Sequence, residues 1–273
     1  SKFEHNDFTD WEIQPSVRLA WTPDDRQTVW GAISRAVRTP ARGEHDVRLG
    51  VLPPPMAPPF AFTVAGDDDF ESEELIAYEL GYRVKATETL SVDAAFFYND
   101  YDDLRTIRTF APIFVPPAEL LLPFDNNMDG ESYGAEVTAQ WQVMPNWRLQ
   151  GSYTYLNVSL DLKNGSIDTQ SESAEDADPS HKATLWSTYS LGSKWELGSG
   201  LRYVSSIDAP GPGADSYVEL DLRLGWLPTN NLELSLVGRN LLDNHHPEFQ
   251  PDFILTQPTE VERSVYANAK WRF

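Results

Sequence analysis

The sequence predicts an all-β protein: an antiparallel, up-and-down sheet of about eleven strands forming the wall of a transmembrane β-barrel. Three observations predict it. Apolar and polar residues alternate with period two along the chain, every second connection is short, and tryptophans gather at the short-turn ends. No stretch carries sustained helical periodicity, and EDADPSHK holds at most a short turn.

The predicted strands span 11–21, 27–38, 74–85, 89–100, 131–143, 147–159, 182–191, 194–205, 217–226, 231–240 and 261–273. In LSVDAAFFY, Leu90, Val92, Ala94, Phe96 and Tyr98 oppose Asp93. In ESYGAEVTAQWQV, Tyr133, Ala135, Val137, Ala139 and Trp141 oppose Glu136, Thr138, Gln140 and Gln142. In YVELDLRLGW, Val218, Leu220, Leu222, Leu224 and Trp226 oppose Glu219, Asp221 and Arg223. The last strand, VERSVYANAKWRF, sets a mostly apolar Arg263, Val265, Ala267, Ala269, Trp271 and Phe273 against Ser264, Tyr266, Asn268, Lys270 and Arg272. Period two with one apolar face is the strand signature.

The short turns are 22–26, 85–88, 144–146, 192–193 and 227–230; the long loops are 39–73, 101–130, 160–181, 206–216 and 241–260. Strict alternation places all short turns at one edge of the sheet and all long loops at the other. Membrane barrels sort their connections this way; sandwiches and propellers have less reason to. Six of the nine tryptophans, Trp21, Trp141, Trp147, Trp195, Trp226 and Trp271, fall near the short-turn edge and read as an interfacial girdle.

Composition is compatible with this. Mean hydropathy is −0.43, and a membrane strand needs only every second residue apolar. A formal charge of −21 argues against a nucleic-acid partner and describes solvated acidic loops, or a field that attracts cations. With no cysteine there are no disulfides or thiolate metal sites. The chain starts at Ser1 with no recognisable signal peptide and reads as a mature chain or an excised piece.

An amphipathic last strand ending in Phe273 resembles the assembly signal of bacterial outer-membrane barrels. Two stretches narrow the resemblance. PSVRLAWTPDDRQTVWGAISRAVRTPAR, residues 15–42, is similar to a hairpin of TonB-dependent outer-membrane receptors. LELSLVGRNLLDNHHPEF, residues 232–249, resembles their penultimate strand and the turn that follows it, with Gly238, Asn240, Leu241, Leu242 and Asp243 the most specific part. The resemblance implies a barrel of 22 strands around an N-terminal plug, importing a ferric siderophore or similar metal chelate with energy passed on by TonB. Plug and TonB-contacting box are not found here, so residues 1–273 read as the C-terminal portion of such a barrel, with SKFE the end of a preceding strand. Implied partners are outer-membrane lipid, TonB through the missing N-terminal part, the barrel-assembly machinery through the strand ending in Phe273, and a small metal chelate. No cofactor and no catalysis are expected. A complete small barrel with a structural or adhesive role is the alternative, and an outer-membrane hydrolase a more remote one, because the outward parity carries no histidine beside a serine.

Parity puts Arg18, Glu79, Arg83, Asp93, Glu136, Arg148, Arg202, Glu219, Asp221, Arg223 and Arg239 on the lumen face, where opposite charges on neighbouring strands can pair. Arg38, Arg202 and Arg239 lie toward the long-loop ends and are candidate contacts for an anionic ligand; Trp30 and Trp186, on the polar parity, are candidate stacking platforms. RTFAPIFVPPAELLLPF, residues 108–124, is an apolar segment in an otherwise polar loop, and Phe110 and Phe114 are candidate ligand wall. His245 and His246, near Glu248 and Asp252, lack metal-ligand spacing and read as solvated loop. The run GDDDFESEE does not match a calcium loop, and VLPPPMAPPF reads as extended polyproline-like chain.

If Phe273 ends an assembly signal, deleting it from the full-length chain leaves the protein unfolded in the periplasm. Surface labelling and periplasmic fractionation check this, and normal display of the deleted form shows the terminal ring to be incidental.

Overall fold

The computed structural model describes residues 1–51, 61–108, 119–166, 168, 171–208, 213–248 and 259–273. In chain order it places β1 (Lys2–Asn6), β2 (Asp10–Gln14), β3 (Ser16–Asp24), β4 (Gln27–Arg38), a short helix α1 (Arg42–Asp46), β5 (Arg48–Val51) and β6 (Ala61–Ala65). There follow β7 (Glu73–Lys85), β8 (Leu90–Ile107), β9 (Glu119–Met144), β10 (Trp147–Leu162), a 3-10 turn (Ser171–Ala177), β11 (His181–Leu191) and β12 (Trp195–Val204). The chain ends with β13 (Tyr217–Thr229), β14 (Leu232–Arg239), β15 (His245–Pro247), β16 (Glu260–Glu262) and β17 (Ser264–Trp271).

Eleven strands form one antiparallel path, β3-β4-β7-β8-β9-β10-β11-β12-β13-β14-β17, and they are the eleven the alternation predicts. The short turns lie at one edge, as expected. The expected 11–21 strand divides at Pro15: β3 stays in the sheet, while β2 folds back on β1 as a separate hairpin. Proline has no N–H to give the ladder, and Arg35 donates its N–H to the Pro15 carbonyl at 3.0 Å instead. SKFE is thus a strand, but it leads into a tight turn. The expected loop 101–130 is mostly strand, because β8 and β9 continue pairing past Tyr101 to Ile107 and Phe124. At about 3.3 Å per residue the 26-residue β9 is roughly 85 Å long, well beyond a bilayer. In the 39–73 connection, β6 lies parallel to the first residues of β9 and hydrogen bonds to β5.

Burial is inverted relative to a water-soluble sheet. Along β7, Ile76, Tyr78, Leu80 and Tyr82 are exposed, while Glu79 is half-buried and Gly81 buried. Leu222, Leu224, Leu236, Val265 and Trp271 are likewise exposed. A continuous apolar outer face opposite a paired polar face is the pattern of a wall between lipid and lumen. Trp21, Trp141, Trp195, Trp226 and Trp271 are exposed beside the short turns, and Trp147 donates its indole N–H to Ser187 Oγ at 3.0 Å. A second girdle, of tyrosine, was not predicted: Tyr78, Tyr98, Tyr133, Tyr153 and Tyr203 are exposed on the same face. Trp141 and Tyr133, and Trp195 and Tyr203, stand eight residues apart on their strands. That is about 27 Å along a strand, or roughly 20 Å vertically for a strand tilted by about 40°, close to the height of an outer-membrane apolar band.

The small hydrophobic core lies beyond the tyrosines, under the long loops. Val64, Phe70, Met128 and Thr106 are almost fully buried there. Polar ties hold the loops to it: Asp168 accepts from the Ile107 N–H at 2.6 Å, and Asn126 bridges to the carbonyls of Asp103 and Glu71.

Leu222 is on the lipid parity and Glu136, exposed and without an ion pair among the described residues, is on the lumen parity. In the full-length protein, Leu222→Arg is expected to cost about 2–4 kcal/mol of folding into lipid vesicles, and Glu136→Arg little. Equal tolerance of the two would refute the assignment of faces.

Candidate functional site

The lumen face is a ladder of ion pairs between strands. Arg18 of β3 reaches Glu79 of β7 at 3.2 Å, across the small Ala32 of the intervening strand. Arg83 pairs with Asp93, and Arg223 bridges Glu196 and Glu233. These side chains lie on one parity of adjacent strands, so the pleat alone brings them together.

At the long-loop edge two of the expected arginines are fully engaged. Arg38 forms a fork with Glu73, Nε to Oε2 at 2.6 Å and Nη2 to Oε1 at 2.8 Å, and donates Nη1 to Glu44 Oε1 at 2.8 Å. Glu44 is buried in α1, where its other oxygen takes the Ala41 N–H at 2.8 Å. Hydrogen bonding to Glu73 pushes the Arg38 pKa upward. Burial alone raises the Glu73 pKa; the Arg38 fork outweighs it and holds the carboxyl below its usual value.

Arg202 donates Nε to Glu219 Oε2 at 2.8 Å and Nη2 to Glu248 Oε1 at 2.5 Å, and Tyr217 donates its hydroxyl to the same Glu248 oxygen at 2.9 Å. Burial would raise the Glu248 pKa, but the Tyr217 hydrogen bond and the Arg202 charge keep it lowered. His246 stacks on Tyr217 with ring centroids 4.1 Å apart. Asn240, in the left-handed region at φ 49°, is fully buried and gives Nδ2 to the Val261 carbonyl at 3.2 Å and to His246 Nδ1 at 3.3 Å. Carboxylates flank both ring nitrogens of His246: Asp243 Oδ2 lies 3.4 Å from Nδ1 and Glu248 Oε1 lies 3.6 Å from Nε2. The solvated-loop reading of the two histidines gives way to strand β15: His245 is exposed with Nδ1 3.0 Å from Glu260 Oε2, and His246 is 6% exposed. No group of three His, Cys, Asp or Glu among the described residues has the arrangement of a metal site.

Arg239 is exposed and lies over the Tyr266 ring at 5.8 Å, with no ion pair among the described residues. Trp30 and Trp186 face the lumen, each flat against a glycine directly across the ladder. A Cβ on Gly81 would come within 2.1 Å of the Trp30 ring, and one on Gly200 within 2.3 Å of Trp186. Arg18 covers Trp30 at 4.9 Å, whereas Trp186 is 48% exposed. Phe110 and Phe114 lie outside the described residues. Of the remaining candidates, Arg38 and Arg202 sit in clusters, and Trp30, Trp186 and Arg239 stand apart from one another on different strands. Sequence reasoning missed Glu44, Glu73 and Tyr217, of which Glu73 had a signal as the acidic residue opening the strand that pairs with β4, and it weighed His246 and Glu248 only as a metal site and set them aside.

His181 lies on the lipid parity, a position the sequence reading did not give to any histidine; its Nδ1 is 2.8 Å from the Tyr153 hydroxyl. A concavity of about 930 Å³ lies at the opposite, short-turn edge, lined in part by Arg26, Arg83, Gln140, Gln142 and Arg148. Arg26 pairs with Glu88 and Arg83 with Asp93, while Arg148 has no ion pair among the described residues.

Comparison with known proteins agrees with this geometry. The family model described as TonB dependent receptor-like, beta-barrel, matches residues 1–241. The chain is 29% identical over 143 residues to the catecholate siderophore receptor Fiu of Escherichia coli K12, covering 45% of this chain and 19% of that protein. It is 27% identical over 162 residues to the ferrioxamine B receptor of Salmonella typhimurium LT2, covering 55% of this chain and 22% of that protein. Among solved structures, the siderophore receptor PirA from Acinetobacter baumannii superposes with a TM-score of 0.75 at 15% identity, over 99% of this chain and 42% of that one. The chain spans about a fifth of the length of those curated relatives.

The Trp186–Gly200 contact gives a direct test. Gly200→Val forces the indole off the wall and is expected to destabilise folding into vesicles by about 1–3 kcal/mol. Trp186→Ala in the same chain should recover part of that loss, and full tolerance of Gly200→Val alone would show that the ring does not rest there.

Proposed function

The chain belongs to the TonB-dependent receptor-like β-barrel family, and from this premise we propose that the receptor containing it imports a ferric siderophore or similar metal chelate across the outer membrane of a Gram-negative bacterium. Residues 1–273 act as the C-terminal portion of its barrel, supplying wall, extracellular loops and the last assembly strand. The observation that carries this reading is the two-faced sheet: an apolar outer band between tryptophan and tyrosine girdles, and a polar inner face topped by structured loops. Two relatives bear the names of receptors for a catecholate siderophore and for ferrioxamine B, which supports a metal chelate as cargo.

In this proposal the ligand meets the long-loop edge. Trp186 and Arg239 offer an open ring face and a guanidinium; Arg38, Arg202 and Trp30 shape the rim and wall; Phe110 and Phe114 contribute an apolar wall from the 108–124 segment. Lipid meets the outer band, the assembly machinery reads the strand ending in Phe273, and TonB acts through a segment N-terminal to this chain. The protein is a transporter without catalysis of its own. A complete eleven-strand barrel is disfavoured by direction: β3 and β17 both run toward the short-turn edge, so they cannot pair antiparallel.

Uptake of a labelled ferric chelate tests this in cells expressing the full-length receptor, residues 1–273 alone, or neither. Only the full-length receptor should give uptake, and a protonophore or loss of TonB should abolish it. Energised uptake by residues 1–273 alone would overturn the reading.

A further inference from the structure

We propose that the cargo of this receptor is a metal chelate of neutral or positive net charge, not a polyanionic one; this rests on the import reading above. The sequence alone made Arg38 and Arg202 candidate anion contacts. The structure commits both to carboxylates, Arg38 to Glu73 and Glu44, Arg202 to Glu219 and Glu248. An incoming anion would have to displace these partners and leave carboxylates unpaired in a partly buried site, which is costly.

The remaining charge at the rim is negative. The long connections 39–73, 101–130, 160–181, 206–216 and 241–260 carry 24 Asp and Glu against five Lys and Arg. Arg108 is bound by Asp67 and Asp125. Asp176, Asp178, Asp208 and Asp215, from two different loops, are exposed and make no ion pair among the described residues. Against them, the lumen face at this edge has Arg239 and Lys182 without ion pairs among the described residues. A mouth of this sign concentrates cations and repels polyanions before contact.

A second feature shows how the rim receives an ammonium group. Lys163 Nζ sits among Asp102 at 2.6 Å, Asp103 at 2.6 Å and Asp129 at 3.0 Å, drawn from two other strands. Loop 160–181 is pinned by its own cation in a carboxylate cage, the chemistry a cationic chelate would use. The open face of Trp186 below offers a further surface for a cation.

The test uses the purified full-length receptor and three ferric probes: a linear trihydroxamate bearing a free ammonium, the same chelate N-acetylated, and a triply negative tris-catecholate. The ammonium chelate should bind tightest, lose affinity as salt rises, and be taken up by cells. Neutralising the free rim carboxylates (D176N, D178N, D208N and D215N together) should slow its association about tenfold and leave the acetylated chelate unchanged. Tris-catecholate binding as tight as the ammonium chelate would overturn the charge assignment while leaving import intact. Uptake of none of the three by a receptor displayed at the surface would overturn both. Equal association of the ammonium chelate with the wild-type and fourfold variant would overturn the role of the rim field.

Discussion

The structure depends on one constraint: in hydrocarbon every backbone N–H and C=O must be paired within the protein. A sheet spanning the band meets it only through unbroken ladders, and the pleat then divides each strand into a lipid face and a lumen face. From β4 to β13 the ladders run without interruption across the apolar band. Proline and register shifts fall at its margins, at Pro15 and after Tyr101. Chain irregularity is confined to where water can satisfy it.

The same division decides where charge can go. Along the lumen face basic side chains pair with carboxylates one or two strands away, as Arg18 with Glu79 or Arg223 with Glu196 and Glu233, and at the long-loop edge also with carboxylates of the connections. Such pairs contribute little stability where exposed. Their main consequence is that opposite charges on the wall largely cancel, which leaves little net field along it. Packing is likewise local: Trp30 and Trp186 cover glycines across the ladder, burying one ring face and closing gaps in the backbone surface.

Much of this fold was legible because the lipid face imposes period two. Leu222, Leu224 and Trp226 announce their strand, and all eleven transmembrane strands follow from such patterns. The signal ends where lipid ends. YDDLRTI, residues 101–107, is polar on both parities since both faces meet water or protein, so a strand there looked like loop. Hairpin symmetry made one contact readable in principle: Trp186 and Gly200 are equidistant from residue 193, in a tight turn. Trp30 and Gly81 are separated by the 39–73 connection, and no count along the sequence sets their register. His246 was illegible for the same reason. Its burial depends on Tyr217, which another strand brings to it, and on the turn that carries Asn240 six residues earlier.

Direction fixes what must accompany this sheet. Eleven antiparallel strands present two edges, β3 and β17, running the same way. A closed antiparallel wall containing them takes an odd number of further strands, beginning and ending with strands that run the other way. The long-loop edge of such a wall is then formed by two sets of loops. Several lumen-facing charges, Arg18, Arg83, Arg202 and Arg223 among them, are paired by carboxylates of this chain. What this chain brings to its long-loop edge is acidic loops, the open face of Trp186, and the guanidinium of Arg239.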